Sequence, residues 1–275
     1  MSIFVRQQHT INAFEGSGSW AILSPIERSI KQKIEAVGTP LKDWDINIYR
    51  GVLTGCNDAF IISTEKREEI LSNCHDEAER ERTEELIRPI LRGRDIKRYG
   101  YNWAGLWLIN THNGIKGKLP RIDINEYPAV KAHLDKYWNK ISKRADKGDT
   151  PYNLRNCAYL EDFDKPKIIY PETTQGAYFA YDDSGLLLDK TCFMIIATNP
   201  MYLLKILSSK LFEVAYKKIF SSIELGNHGY QYNKHALVNL PIPHIPCHSV
   251  DDLCDDYINN YFKLTRDEIH YIYEY

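Results

Sequence analysis

Two stretches decide how this chain reads. Arg50-Gly51-Val52-Leu53-Thr54-Gly55-Cys56-Asn57-Asp58-Ala59-Phe60-Ile61-Ile62 is a β-rich run punctuated by two glycines. Ile87-Arg88-Pro89-Ile90-Leu91-Arg92-Gly93-Arg94-Asp95-Ile96-Lys97-Arg98-Tyr99 is a short apolar run that becomes an arginine-rich turn. Gly51 and Gly55 mark positive φ or close backbone approach, and residues 46–62 read as strand, turn, strand, the turn letting the two strands meet. Pro89 and Gly93 break any helix through the second stretch. Arg88, Arg92, Arg94, Lys97 and Arg98 therefore belong to loops, where guanidinium forks suit phosphates and guanine edges, with Tyr99, Tyr101 and Trp103 interleaved. The alternative is a salt-bridged turn paired with the acids of residues 77–85. Asp95-Ile96-Lys97 also resembles half of a metal-dependent nuclease site, but no Pro-Asp pair supplies the second carboxylate, and Asp95 reads as orienting its neighbouring arginines.

The surrounding sequence fills in around these stretches. Residues 64–85 read as an exposed charged helix, and residues 105–110 as a strand. Ser24 as N-cap, Pro25 at N1 and Glu27 as capping-box partner start a helix, with Ile26, Ile30, Ile34 and Val37 on one stripe. Residues 127–147 read as one helix with Val130, Leu134, Trp138 and Ile141 buried. Lys136, Lys140, Lys143 and Lys147 share another face, suited to phosphates or simply to water. Residues 167–171, 178–181 and 192–196 read as strands; a turn at 182–185 joins two of them. Asn199 and Pro200 start a core helix, and Ser249 starts a last amphipathic one. The fold class is mixed α/β: mixed or antiparallel strands with peripheral helices.

Composition narrows the function classes. The chain has 275 residues, 43% hydrophobic, and a formal net charge of −2, so it can bury a sizeable core and is not basic overall. Signs separate along it: residues 86–101 are basic and residues 250–275 acidic, which suggests opposed surfaces or merely solvated faces. A mean hydropathy of −0.44 and no long apolar run argue against a membrane span. Six cysteines without Cys-x-x-Cys, and no signal-peptide pattern, point to the cytoplasm. Asn199-Pro200-Met201-Tyr202 is near the Asn-Pro-Pro-Tyr of adenine methyltransferases, but its third residue differs and a helix cap explains it. His244, Cys247, His248 and Cys254 match no compact zinc spacing. No nucleophile or phosphate-loop motif is present, so no catalytic residue and no metal site is assigned.

Two polar loops fit binding to base edges. Thr173, Thr174 and Gln175 follow the strand at 167–171. Asn227, Gln231, Asn233 and Lys234 lie in a glycine-flexible loop rich in bidentate amides. Arg155 adds a cation to the set Arg88, Arg92, Arg94, Lys97, Arg98, Lys136, Lys140, Lys143 and Lys147.

The order of these motifs resembles the TaqI-like C-terminal specificity domain. This is the target-recognition domain of adenine-N6 DNA methyltransferases and fused type IIG restriction-modification enzymes. The matching pieces are residues 51–60, 89–99, Tyr127-Pro128-Ala129-Val130-Lys131 with His133-Leu134, Pro151-Tyr152 with Leu154-Arg155, Pro166-Lys167-Ile168-Ile169-Tyr170-Pro171, and Leu207-Ser208-Ser209-Lys210-Leu211. The likeness runs over about residues 45–245. It implies sequence-specific binding of double-stranded DNA without catalysis in this chain. It also implies a methyltransferase domain or subunit as partner, N-terminal in the parent and carrying S-adenosylmethionine. No cofactor is expected here. Residues 1–44 then read as a connector with a helix, 45–248 as the recognition domain and 249–275 as a C-terminal helix. The chain is expected to be a fragment, a truncated product or one subunit, and to bind weakly alone. The alternatives are a metal-dependent nuclease and a module that docks a methyltransferase subunit.

Overall fold

In the computed structural model, which describes residues 23–221, 225–226 and 229–274, the first element is the one whose start the sequence spells out. Helix α1 (Pro25–Val37) begins at Ser24, whose hydroxyl accepts the Glu27 N–H at 3.2 Å while the Glu27 carboxylate accepts the Ser24 N–H at 2.6 Å. Ile30 and Ile34 are buried, but Val37 is exposed, so the stripe is shorter than its spacing predicts. Strands β1 (Gly38–Pro40) and β2 (Ile46–Arg50) follow, then a one-turn helix α2 (Asn57–Phe60) and β3 (Ile61–Ser63). The charged segment is two helices, α3 (Thr64–Ser72) and α4 (Glu77–Leu86), because Asp76 accepts the Glu79 N–H and caps a second start. Strands β4 (Ile87–Leu91), β5 (Ile96–Lys97), β6 (Gly100–Tyr101) and β7 (Leu106–Ile109) carry the arginine-rich turn.

The single helix expected over 127–147 is instead α5 (Pro128–Asp135) and the four-residue α6 (Trp138–Ile141), with turns beyond. Next come β8 (Lys167–Pro171), β9 (Thr173–Thr174), β10 (Ala180–Asp182), β11 (Leu187–Leu188) and β12 (Cys192–Ala197). Helices α7 (Pro200–Ser208) and α8 (Lys210–Ala215) run into a π turn, Tyr216–Phe220. Then follow β13 (Tyr230–Gln231), α9 (Lys234–Leu237), β14 (Pro241–Pro243), α10 (Asp255–Tyr261) and α11 (Arg266–Glu274). The helix expected from Ser249 is therefore a capped turn, Val250–Asp252, and two helices. They are separated where Lys263 takes φ 50°.

The chain divides into two units. One comprises residues 47–171 and 180–196. It holds two four-stranded sheets, β10-β8-β12-β2 and β11-β4-β7-β3. β8 is antiparallel to β10 and β12, β7 is antiparallel to β3 and β4, and β11 runs parallel to β4. Residues 50–62 thus do not let two strands meet, as the sequence suggests; they carry the chain from one sheet to the other. Gly51 is required there: its N–H donates to the Cys192 carbonyl at 2.9 Å, and a β-carbon would lie 2.0 Å from the Asp189 carbonyl oxygen. Gly55 has φ +66°, the left-handed conformation the sequence anticipates. Lys167 and Asp182 form a fully buried ion pair across β8 and β10; burial pulls the Lys167 ammonium below its ordinary pKa against the opposing pull of Asp182.

The other unit takes the described residues up to 46, residues 172–179 and the described residues from 197 onward. Residues 23–44 and 249–274 thus share a unit with the described residues of 197–248. Glu268 on α11 accepts from Lys33 (2.6 Å) and Ser29 (2.7 Å) of α1, and Tyr271 donates to Glu27 at 2.6 Å. Ile258, Phe262 and Ile272 are buried. β1 pairs antiparallel with β14, and β9 with β13. No helix of the described residues is long and apolar enough to cross a membrane.

Candidate nucleic-acid interface

Asp95 organises the arginine-rich turn. It is buried at the end of a 3-10 turn, Gly93–Asp95, and its oxygens accept from Arg92 Nε at 2.9 Å, Nη2 at 2.8 Å and backbone N–H at 3.1 Å. Burial alone would raise its pKa; the Arg92 fork outweighs that and holds the carboxyl below its ordinary value. Both oxygens of the apparent nuclease acid are thus engaged by Arg92, and Lys97 donates to the Arg94 carbonyl at 3.0 Å. The Gly93 N–H donates to Thr191 at 2.8 Å, fixing the turn to the start of β12. Arg88 is likewise committed internally, to Asp164 and to the Gly185 carbonyl at 2.6 Å. Neither arginine pairs with residues 77–85, the acids the alternative reading names. Arg94, Lys97 and Arg98 remain exposed.

The lysine face predicted on one helix does not form. The helix breaks at residues 136–137 and ends at Ile141; beyond it Arg144 is buried, with its guanidinium 4.3 Å from the centroid of the Phe60 ring. It donates to the carbonyls of Thr54, Pro151 (3.1 Å) and Asn153 (2.5 Å). Its burial lowers its pKa to about 10. Lys136 lies 3.9 Å from Glu69 and Lys140 2.7 Å from Asp58, Lys147 donates to the Ser142 carbonyl at 3.0 Å, and Arg155 pairs with Asp146 at 3.0 Å. Lys143 is exposed and makes no ion pair among the described residues.

The two polar loops do come together. β9 and β13 place Thr173 opposite Gln231 and Thr174 opposite Tyr230. Thr173, Gln175 and Lys234 are exposed along this edge and Gln231 is half-buried. Thr174 is buried, its hydroxyl donating to the Gly176 carbonyl at 2.7 Å, and Asn233 caps α9 by accepting the Ala236 N–H at 2.8 Å. Those two are fixed by the turn and the cap, and Asn227 lies outside the described residues. A tyrosine layer supports the edge. Tyr216 donates to the Gln231 carbonyl at 2.8 Å, and the hydroxyls of buried Tyr230 and Tyr232 lie 3.3 Å apart. Burial pushes the Tyr216 hydroxyl up to about 12.

One feature escaped the sequence reading. An open cleft of about 850 Å³ is lined by residues 113–121, 149 and 156–158, bringing Lys116, Lys118, Arg121, Asn113 and Asn156 to one surface. Its signal was Asn113-Gly114 and Gly117 between two lysines; both glycines have φ above 70°. Asn199 accepts the Tyr202 N–H at 3.1 Å as a helix cap, and Tyr202 donates to the Pro243 carbonyl at 2.7 Å, so the methyltransferase-like tetrapeptide is structural. His244 stacks on Trp44, centroids 4.1 Å apart.

The sequence profile of the TaqI-like C-terminal specificity domain matches residues 88–242, more than half of the chain. The type II methyltransferase M.BanIII of Aneurinibacillus aneurinilyticus is 22% identical over 58% of this chain and 29% of its own length. The solved type IIG restriction endonuclease BpuSI superposes with a TM-score of 0.54 at 17% identity, covering 86% of this chain and 28% of that one. The type IIL restriction-modification enzyme MmeI, solved in complex with DNA, gives 0.56 at 14%, covering 85% and 35%. The chain thus spans about a third or less of each relative, and at these identities the two structures share its fold.

Proposed function

This chain belongs to the family of TaqI-like C-terminal specificity domains, and from that premise we propose that it binds double-stranded DNA sequence-specifically as the target-recognition part of a restriction-modification system. A methyltransferase domain or subunit using S-adenosylmethionine would supply the chemistry. The observation that carries this reading is the anchored turn: Arg92 and Asp95 neutralise each other and fix the backbone, leaving Arg94, Lys97 and Arg98 exposed on it. Fixed cations on a short turn suit phosphates, which position a protein on DNA, while amide and hydroxyl side chains read base edges. Thr173 and Gln231, on a strand pair held by buried tyrosines, and Gln175 just beyond it, supply the second kind of group. MmeI's solution with DNA supports the same assignment.

Anisotropy titrations of the whole chain on short duplexes across a salt series, with selection from a randomised duplex pool, test this. Affinity should fall linearly with salt on logarithmic axes, and Arg94→Glu should weaken binding to all sequences alike and flatten the slope by about one. A chain that binds no duplex at low salt, or selects none, is not a recognition domain.

A further inference from the structure

The β5–β6 hairpin pairs Lys97 with Gly100 and Ile96 with Tyr101, which leaves Arg98 and Tyr99 as its two-residue tip. Tyr99 has φ 63°, in the left-handed region where a β-carbon is penalised and glycine or asparagine is the ordinary occupant. Stability alone would put glycine here. The ring is not a core element either: Tyr99 is 50% exposed, and Trp103, just beyond the hairpin, is 41% exposed. Everything beneath the tip is fixed. Ile96 is fully buried, the Asp95 carbonyl accepts the Asn102 N–H at 2.8 Å, and Trp103 donates to the Leu106 carbonyl at 3.0 Å while packing edge-on against Trp107. Arg98 sits 5.4 Å from the centroid of the Tyr99 ring, and Lys97 and Arg94 are exposed nearby in sequence.

An aromatic face held among cations is the chemistry of base stacking beside phosphates. In a duplex it works where a base step is partly unstacked, as side-chain wedges do. Backbone strain concentrated at an exposed residue is the accompanying mark of a functional position. We propose that Tyr99 is a base-stacking wedge: the hairpin tip sets its ring against a nucleobase at an unstacked duplex step while Arg94, Lys97 and Arg98 hold the flanking phosphates. This rests on the DNA-binding reading above and adds the non-phosphate contact of the turn.

The test compares wild type, Tyr99→Gly and Tyr99→Phe for thermal melting and for affinity to a random-sequence duplex with and without one mismatched step. Tyr99→Gly removes the backbone penalty, so it should melt no lower than wild type yet bind roughly tenfold or more weakly, with an unchanged salt slope. Tyr99→Phe should keep the affinity. Wild type should prefer the mismatched duplex, and Tyr99→Gly should lose that preference. If wild type binds duplex and Tyr99→Gly binds equally well with the same preference, Tyr99 is a structural tip and the wedge is overturned while the DNA reading stands. If wild type binds no duplex, both fall.

Discussion

Of the cations in residues 88–98, Arg88 and Arg92 are held inside the protein and Arg94, Lys97 and Arg98 are presented. The Arg92 pairing was legible, because Asp95 stands three residues away and reads as an orienting acid. The Arg88 pairing was not, because Asp164 arrives from the far end of the unit's sequence. Arg144 is the same lesson in reverse: its sequence neighbours are polar, and only the carbonyls of Thr54, Pro151 and Asn153 reveal that it is interior. His133, quoted from sequence merely as part of a motif, lies buried with Nε2 3.0 Å from the Ala59 carbonyl, so that nitrogen carries the hydrogen. Burial lowers its pKa below the ordinary 6.5, against the opposing hydrogen bond to Ala59. The unfolded chain therefore takes up this proton first as pH falls. Stability contributed by neutral His133 is whole above 6.5 and declines below it, until the folded imidazole itself protonates. Melting temperature should drop between about pH 7.5 and about pH 5.5, and His133→Asn should shrink that drop; an unchanged pH slope in the variant would show that His133 is not the group responsible.

At the scale of elements, starts were more legible than stops. Ser24 and Asn199 begin their helices as their capping side chains dictate, and the strands at 167–171 and 192–197 lie where apolar β-branched runs place them. Stops were harder to place: α5 ends at Asp135 with a second helical turn, Trp138–Ile141, just beyond it, and the C-terminal helix breaks at Lys263. Among the strands the sequence reading omitted, Leu187–Leu188 is two residues long and pairs in parallel with β4, beyond the reach of any periodicity. The C-terminal helices carry core residues. Ile258, Phe262 and Ile272 are each worth about 1.5–3 kcal/mol when buried, against a total stability of about 5–15 kcal/mol. Deleting residues 255–275 should therefore lower the melting temperature sharply and raise dye binding to exposed apolar surface. A truncated chain that melts like the parent would leave those helices outside the core.

At the scale of the molecule, the separation of charge was visible in the sequence: the basic turn at 88–98 and the acidic stretch beyond 250 fall in different units. Interleaving was not. Residues 172–179 leave β8, pair with β13 through Thr173 and Thr174, and return to β10, although β8 and β10 are antiparallel neighbours that a short turn would connect. Ala177 and Phe179 are buried in the excursion, with Phe179 packed edge-on to Tyr232 at 4.8 Å. Residues 47–196 expressed alone should aggregate through these side chains. The same segment with 172–179 replaced by Asn-Gly should stay soluble and melt cooperatively, as gel filtration and calorimetry would register. The excursion also bears on inheritance. Because the chain passes between units after residues 46, 171, 179 and 196, no single crossover between related genes exchanges one unit whole. A single crossover between residues 98 and 173 would instead take the cation-bearing turn from one parent and the polar edge from the other, leaving each unit a hybrid of both.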